Sequence, residues 1–288
     1  VSLRPRPRVA FQGELGAFSD EAIQQLYGGE AQRLPYRDFA DVTASVASGV
    51  ADLGVLPIEN TVAGSIAGAH DALAAMPGLH AVAETVVAVH HCLLGPPGTD
   101  FAHITNVLCH PVALAQCQRF FAEHPQLEVH PSYDTAGAAM DVSKIADPAF
   151  AAVASRRAAQ HYGLKVLQAD IEDRPDNQTR FLALARASQE LAAGTPARTM
   201  VTVTTGDAPG SLLAVLTPLA THGVSIRRLE SRPTGEPWSY RFFIEFDHAV
   251  GDADAAAVLR EIAARSASAR FLGTFPRWDA APAQRGLR

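Results

Sequence analysis

The chain has 288 residues, 48% of them hydrophobic and 19% charged, the profile of a globular protein with enough apolar side chains for large cores and length for about two domains. A formal net charge of −6 argues against nucleic acid as a main partner, and no apolar run approaches the roughly 20 residues that span a bilayer. Cys92, Cys109 and Cys117 are an odd number of cysteines in a chain without a secretion signal, which reads as free thiols in a reducing cytoplasm.

Val1 to Arg8 alternates Arg and Pro without the apolar segment of a signal peptide and reads as a disordered tail. From there to Arg186, short apolar runs alternate with Ala-rich stretches. Strands are expected at 9–11, 31–35, 53–57, 81–94, 105–109, 127–130, 149–153, 166–169 and 181–185. Helices are expected at 20–27, 41–51, 66–75, 112–123, 135–145 and 156–162. Pro111 suits a helix start, Asp41 and Asp134 read as N-caps, and Gly28 and Gly163 as C-caps. Such alternation predicts an α/β architecture with largely parallel sheets. Two lobes are expected, about 8–86 plus 180–186 and about 87–179, with chain crossings near Thr85 and Thr179 forming a hinge.

Residues 187–197, with Ser188, Gly194, Thr195 and Pro196, read as a linker. Beyond it the pattern changes to strand 198–205, helix 210–222 stopped by Gly223, strands 224–231 and 238–247, helix 253–265 and strand 269–275. Pro218 should kink the first of these helices. The order β-α-β-β-α-β is the ferredoxin-like split unit, a complete small domain over 198–278. The residues after Arg277 read as a polar tail.

Several polar clusters sit where strands end, the place at which open α/β sheets bind ligands. In Asn177-Gln178-Thr179-Arg180-Phe181 a hydroxyl, a guanidinium and an aromatic ring suit a small anion that carries a ring. Phe11 to Ser19 is a strand running through Gly13 and Gly16 into a helix whose N–H groups can hold an anion; a tight turn accounts for it equally well, and it fits neither a Walker loop nor a dinucleotide fingerprint. Glu59, Asn60 and Thr61 follow Pro57 and serve either a ligand or a helix cap. His110 before Pro111 suits a hydrogen-bonding or proton-carrying role, or a structural one. Ser155 reads most simply as an N-cap. His90-His91-Cys92 lacks zinc-ligand spacing, and no metal or cofactor is expected.

Taken in order, Gly13 to Ser19, Pro57 to Thr61, His110-Pro111, Asp134-Thr135-Ala136 and Asn177 to Phe181 resemble the motifs of the prephenate dehydratases. The C-terminal unit resembles an ACT regulatory domain, with Gly210-Ser211-Leu212-Leu213 and Glu230-Ser231-Arg232-Pro233 similar to the family's phenylalanine-binding pair. Thr61 stands where the family usually has Ser, Ser211 where it has Ala, and Arg227 and Arg228 add positive charge before Glu230. No chorismate mutase region precedes the first motif, so the expectation is a form not fused to one.

The resemblance implies a two-lobed catalytic domain, 8–186, similar to type II periplasmic-binding-protein lobes. It implies conversion of prephenate to phenylpyruvate in a cytoplasmic enzyme of phenylalanine biosynthesis. Thr179 would donate to the departing hydroxyl, with Glu59 or His110 as a relay, or Glu59 instead as an orienting group. Asn60, Thr61, Arg180 and helix N–H groups would hold the carboxylates. Phe181 and Phe18 would border the ring beside Ser19. L-phenylalanine would act through the ACT domain in a homodimer or homotetramer. Arogenate dehydration and a non-catalytic small-molecule sensor are the alternatives.

Overall fold

The computed structural model describes residues 6–278; the tail expected at Val1 to Arg8 lies mostly outside them, as does the one after Arg277 apart from Trp278. The first elements are β1 (Arg8–Gln12), α1 (Phe18–Tyr27), β2 (Gln32–Tyr36), α2 (Phe39–Ala47), β3 (Leu53–Asn60), β4 (Gly64–Ser65), α3 (Ala67–Ala75) and β5 (His80–Ala88). Then come β6 (Cys92–Gly95), β7 (Asn106–Cys109), α4 (Pro111–Gln116), α5 (Gln118–Glu123), β8 (Glu128–Pro131), α6 (Thr135–Ile145), β9 (Phe150–Ala154), α7 (Arg156–Tyr162), β10 (Lys165–Gln168) and β11 (Gln178–Ala185). The last six are β12 (Pro196–Thr204), α8 (Ser211–Thr221), β13 (Ile226–Pro233), β14 (Tyr240–Ala249), α9 (Ala253–Arg265) and β15 (Ser268–Pro276).

The strands form three sheets, ordered β2-β1-β3-β11-β5 with β4 on β3, β10-β6-β9-β7-β8, and β13-β14-β12-β15. In the first, β1 is parallel to β2 and β3. In the second, β7 is parallel to β8 and β9, but β6 runs antiparallel to β9 and β10, so this sheet is mixed. The chain gathers into two compact units, one of residues up to Ala69 with Thr85–Phe181, the other of His70–Glu84 with Leu182 onward.

In the first unit, period-2 alternation sorts the second sheet's side chains onto two faces. Cys92, Leu94, Ala152 and Ala154 pack with the alanines of α6 and α7. Leu93, Val107, Cys109, Ala151 and Val153 pack with Ala113, Cys117 and Phe120 around α4 and α5. Two expected elements are broken here. The strand expected over 81–94 divides into β5 and β6, because the Glu172 carboxylate takes the His91 N–H at 2.8 Å and His90 Nδ1 at 2.7 Å. The helix expected over 112–123 breaks at Cys117 (φ −125°, ψ 32°), where Asp173 accepts the N–H groups of Gln118 and Arg119, both at 2.9 Å. Asp38, not Asp41, holds the N-cap position of α2. Asp134 and Ser155 cap as expected, accepting from Gly137 and Ala158.

In the second unit, antiparallel pairing of β12 with β14 and β15, and of β13 with β14, gives the βαββαβ order its sheet. Val201, Val203, Ile244 and Phe246 pack with Val215 and Leu219 of α8 and Val258 and Ile262 of α9. Pro218 lies inside α8. Residues 70–84, expected within the first lobe, pack with this unit. Arg270 donates to the carbonyls of Leu73, Ala74, Met76 and Leu79. Arg232 pairs with Asp71 at 2.7 Å, and Arg198 with Glu84 at 3.2 Å. Gly273 sits at φ +150°, and a Cβ there would collide with the Ala81 carbonyl, so only glycine lets this backbone approach.

Candidate active site

Within the first unit a cavity of about 270 Å³ is lined by Gln12, Phe18, Ser19, Asn60, His91, His110, Gln116, Asp134, Thr179 and Phe181, among others. That volume lies near the lower end of ligand pockets, about 300–1,000 Å³, and suits a single-ring molecule. Among its described lining residues none is Arg or Lys.

The first motif reaches the cavity through a tight turn. Gly16 has φ +87°, and a Cβ on it would lie 2.7 Å from Ala158 Cα; the glycine lets the turn dock on α7, where Ser155 Oγ donates to the Gly16 carbonyl at 2.7 Å. The N–H of Gly16 is held by Asp20, itself paired with Arg33 and Arg157. Phe18 and Ser19 thereby enter the lining at the start of α1. Asp134 joins the same turn to α6, accepting from the N–H groups of Glu14 and Gly137 at 3.1 and 3.0 Å.

Asn60 ends β3. Its Oδ1 accepts the N–H groups of Val62 and Ala63 at 2.9 and 2.7 Å, which fixes the amide orientation. Its Nδ2 then donates to Asn177 Oδ1 at 2.8 Å and Thr179 Oγ1 at 2.9 Å, with the Gln178 carbonyl at 3.1 Å. Thr179 is 7% exposed. Because its oxygen accepts from Asn60, its own hydrogen is left to donate; among the described bonds none takes it. Phe181 lies two residues on, on the same face of β11.

His110 is the N-cap of α4, and its Nδ1 accepts the Val112 N–H at 3.2 Å. That fixes the neutral tautomer with hydrogen on Nε2. Burial lowers its pKa, against an opposing pull from Asp134. The ring is a neutral donor, not a charged acid. His91, 2% exposed, packs edge-on to Phe18 at 5.7 Å, and burial likewise lowers its pKa.

Thr179, Asn60, His110, Phe18, Ser19 and Phe181 are thus gathered around one cavity. Glu59 and Arg180 are not among the lining residues; they sit one position off Asn60 and Thr179 and approach each other at 3.8 Å. Thr61 is exposed, and its hydroxyl accepts the Gln178 N–H at 2.9 Å. Gly210–Leu213 form the start of α8, with Gly210 at φ +84° and Leu213 69% exposed; Glu230–Pro233 lie on β13, where Arg228 approaches Glu230 at 3.5 Å. His91, Gln116, Gln12 and Asp134 join the lining without having been assigned a site role from sequence. His90, Asp170 and Glu172 hold ligand-type atoms within 4.8 Å of one another, but His90 and Glu172 are bonded to each other.

The plan is a cavity-bearing α/β unit followed by a βαββαβ module. Residues 9–189 match the family model of prephenate dehydratase, and residues 199–266 that of the ACT domain. The chain belongs to the prephenate dehydratase family, a family of carbon–oxygen lyases, and carries a C-terminal ACT domain. It is 34% identical to a prephenate dehydratase of Mycolicibacterium vanbaalenii over 95% of this chain and 92% of that one. Among solved structures it is similar to the prephenate dehydratase of Arthrobacter aurescens in complex with L-Phe (TM-score 0.86, 34% identity, 97% and 93% of the two chains). It is also similar to GqqA, described as a novel type of quorum-quenching acylase (TM-score 0.84, 36% identity, 93% and 97%). No described helix is long and apolar enough to cross a membrane.

Proposed function

We propose that the chain converts prephenate to phenylpyruvate, with Thr179 donating to the departing hydroxyl. The observation that carries this reading is the Thr179 hydroxyl at the cavity wall, its oxygen taken by Asn60 and its hydrogen left for a ligand. In the reaction the ring C–O bond and the bond to the ring carboxylate break together. The electrons left by carbon dioxide aromatise the ring, and the hydroxide leaves as water with one proton, which solvent returns to Thr179. Aromatisation supplies the driving force, so positioning and proton delivery are the protein's task.

With no Arg or Lys among the described lining residues, the carboxylates are held by neutral donors: His110 Nε2–H, the Ser19 hydroxyl and the N–H groups opening α1. Phe18 and Phe181 wall the ring. Glu59 and Arg180 serve this reading by holding the ends of β3 and β11, and Thr61 by fixing the loop before Thr179. L-phenylalanine acts as the effector through Gly210–Leu213 and Glu230–Pro233, in a cytoplasmic homo-oligomer assembled through the ACT domains. The L-Phe complex of the Arthrobacter relative supports the choice of effector.

An acylase would need a base to take the hydroxyl proton of its nucleophile. Asn60 donates to Thr179 instead, which disfavours that reading. Incubation with prephenate and, in parallel, arogenate, followed for phenylpyruvate and phenylalanine, tests substrate and class together. Phenylpyruvate from prephenate is expected, and Thr179→Ala should lower kcat about 10²-fold or more. Turnover of arogenate alone, or full activity in Thr179→Ala, would overturn the reading.

A further inference from the structure

The hydrogen bonds behind Thr179 run in one direction only. Val62 and Ala63 donate their backbone N–H groups to Asn60 Oδ1, and a backbone N–H cannot reverse. Asn60 therefore donates to Asn177 Oδ1 at 2.8 Å. Asn177 in turn donates through Nδ2 to Gln116 Oε1 at 3.1 Å. The same Gln116 oxygen lies 2.9 Å from His91 Nε2, so that nitrogen must carry the hydrogen. All four side chains are buried, Asn177 to 1% exposed. Flipping any amide would set NH₂ against NH₂ or oxygen against oxygen.

We propose that Asn177, Gln116 and His91 are positioning residues that hold the Asn60 Nδ2 group in place against Thr179 and so keep the Thr179 hydrogen pointed at the substrate. The inference rests on Thr179 being the proton donor. His91 closes the chain as a neutral imidazole, its Nδ1 without a hydrogen-bond partner among the described residues. Burial lowers its pKa; the hydrogen bond to Gln116 and Glu172, which accepts its backbone N–H, act against this, and His90 and His110 act with it. Neutral His91 is thus the resting form.

Asn177→Asp tests the direction of the chain. The ionised carboxylate of this variant cannot donate to Gln116 and repels its Oε1, which displaces the group that holds Asn60. Its protonated form can donate, and burial raises a carboxyl's pKa. Glu172, Asp173 and Arg174 share the small cavity beside Asn177, and the first two favour that protonated form. We expect kcat for prephenate to fall about tenfold or more at about pH 8 and to recover relative to wild type toward about pH 5, with KM little changed. Asn177→Leu should be impaired at every pH. His91→Leu should lower kcat, and His91→Gln, which keeps a donor, should restore part of it. Thermal melting of each variant checks folding. Nitrogen-15 NMR of wild-type His91 reads the tautomer independently of turnover, and hydrogen on Nε2 is expected. Hydrogen on Nδ1, or an Asn177→Asp profile that follows wild type, would overturn the relay. Failure of the wild type to turn over prephenate would instead overturn the functional reading.

Discussion

Thr179, Arg180 and Phe181 look like one catalytic trio when read as a string, yet a β-strand sends alternate residues to opposite faces. Thr179 and Phe181 reach the cavity, and Arg180 does not line it. The period of β11 holds that information, which proximity in sequence alone does not show. Asn60 was legible as a polar side chain at a strand end, but its hydrogen bonds were not. Its Nδ2 donates to the Thr179 oxygen at 2.9 Å, which leaves the Thr179 hydrogen to donate elsewhere. Asn60→Asp keeps both backbone bonds and loses the donor, so the Thr179 hydrogen turns toward the new carboxylate. A fall in kcat of about tenfold to a hundredfold is expected, with the fold intact by circular dichroism; wild-type kcat would contradict this. Gln116 carries no motif at all, and His91 stands in a His-His-Cys run without the spacing of metal ligands. Both histidines of the site also shape stability. Their folded pKa values lie below the ordinary 6.5, so between folded and unfolded pKa the unfolded chain binds more protons. Stability from this source is full above about pH 6.5 and falls as pH drops through that window. Urea midpoints should decline on that acid side. A His91→Gln/His110→Gln double variant should lose part of the decline.

At the scale of elements, most strands and helices were legible because apolar periodicity and turn residues agreed. The two broken elements share a cause, which is side chains distant in sequence capturing backbone N–H groups. Glu172 ends the strand expected through His91, and Asp173 starts α5. Neither capture leaves a local signal, since the carboxylates lie some 50 to 80 positions away. Asp173→Ala removes the cap on α5, and a loss of about 0.5–2 kcal/mol is expected in chemical denaturation. A change well below that range would show that the break at Cys117 is held by packing alone.

At the scale of the molecule, the order of motifs made the family recognisable and the βαββαβ pattern made the second domain legible. The placement of residues 70–84 with that second domain was not, because it depends on Arg270, Arg232 and Arg198 finding carbonyls and carboxylates some 110 to 200 residues away. If the ACT domain is the effector site, L-phenylalanine should raise the thermal midpoint in a concentration-dependent way. It should also change prephenate turnover by a coupling of about 1–3 kcal/mol. No shift in midpoint and no change in rate would remove phenylalanine as effector. The central claim is dehydration assisted by a proton from the Thr179 hydroxyl, and the most direct measurement is phenylpyruvate formation from prephenate by wild type and by Thr179→Ala side by side. The expected result is steady turnover by wild type and a rate about 10²-fold or more lower in a folded Thr179→Ala. Equal rates in the two proteins, or no phenylpyruvate from wild type, would contradict it.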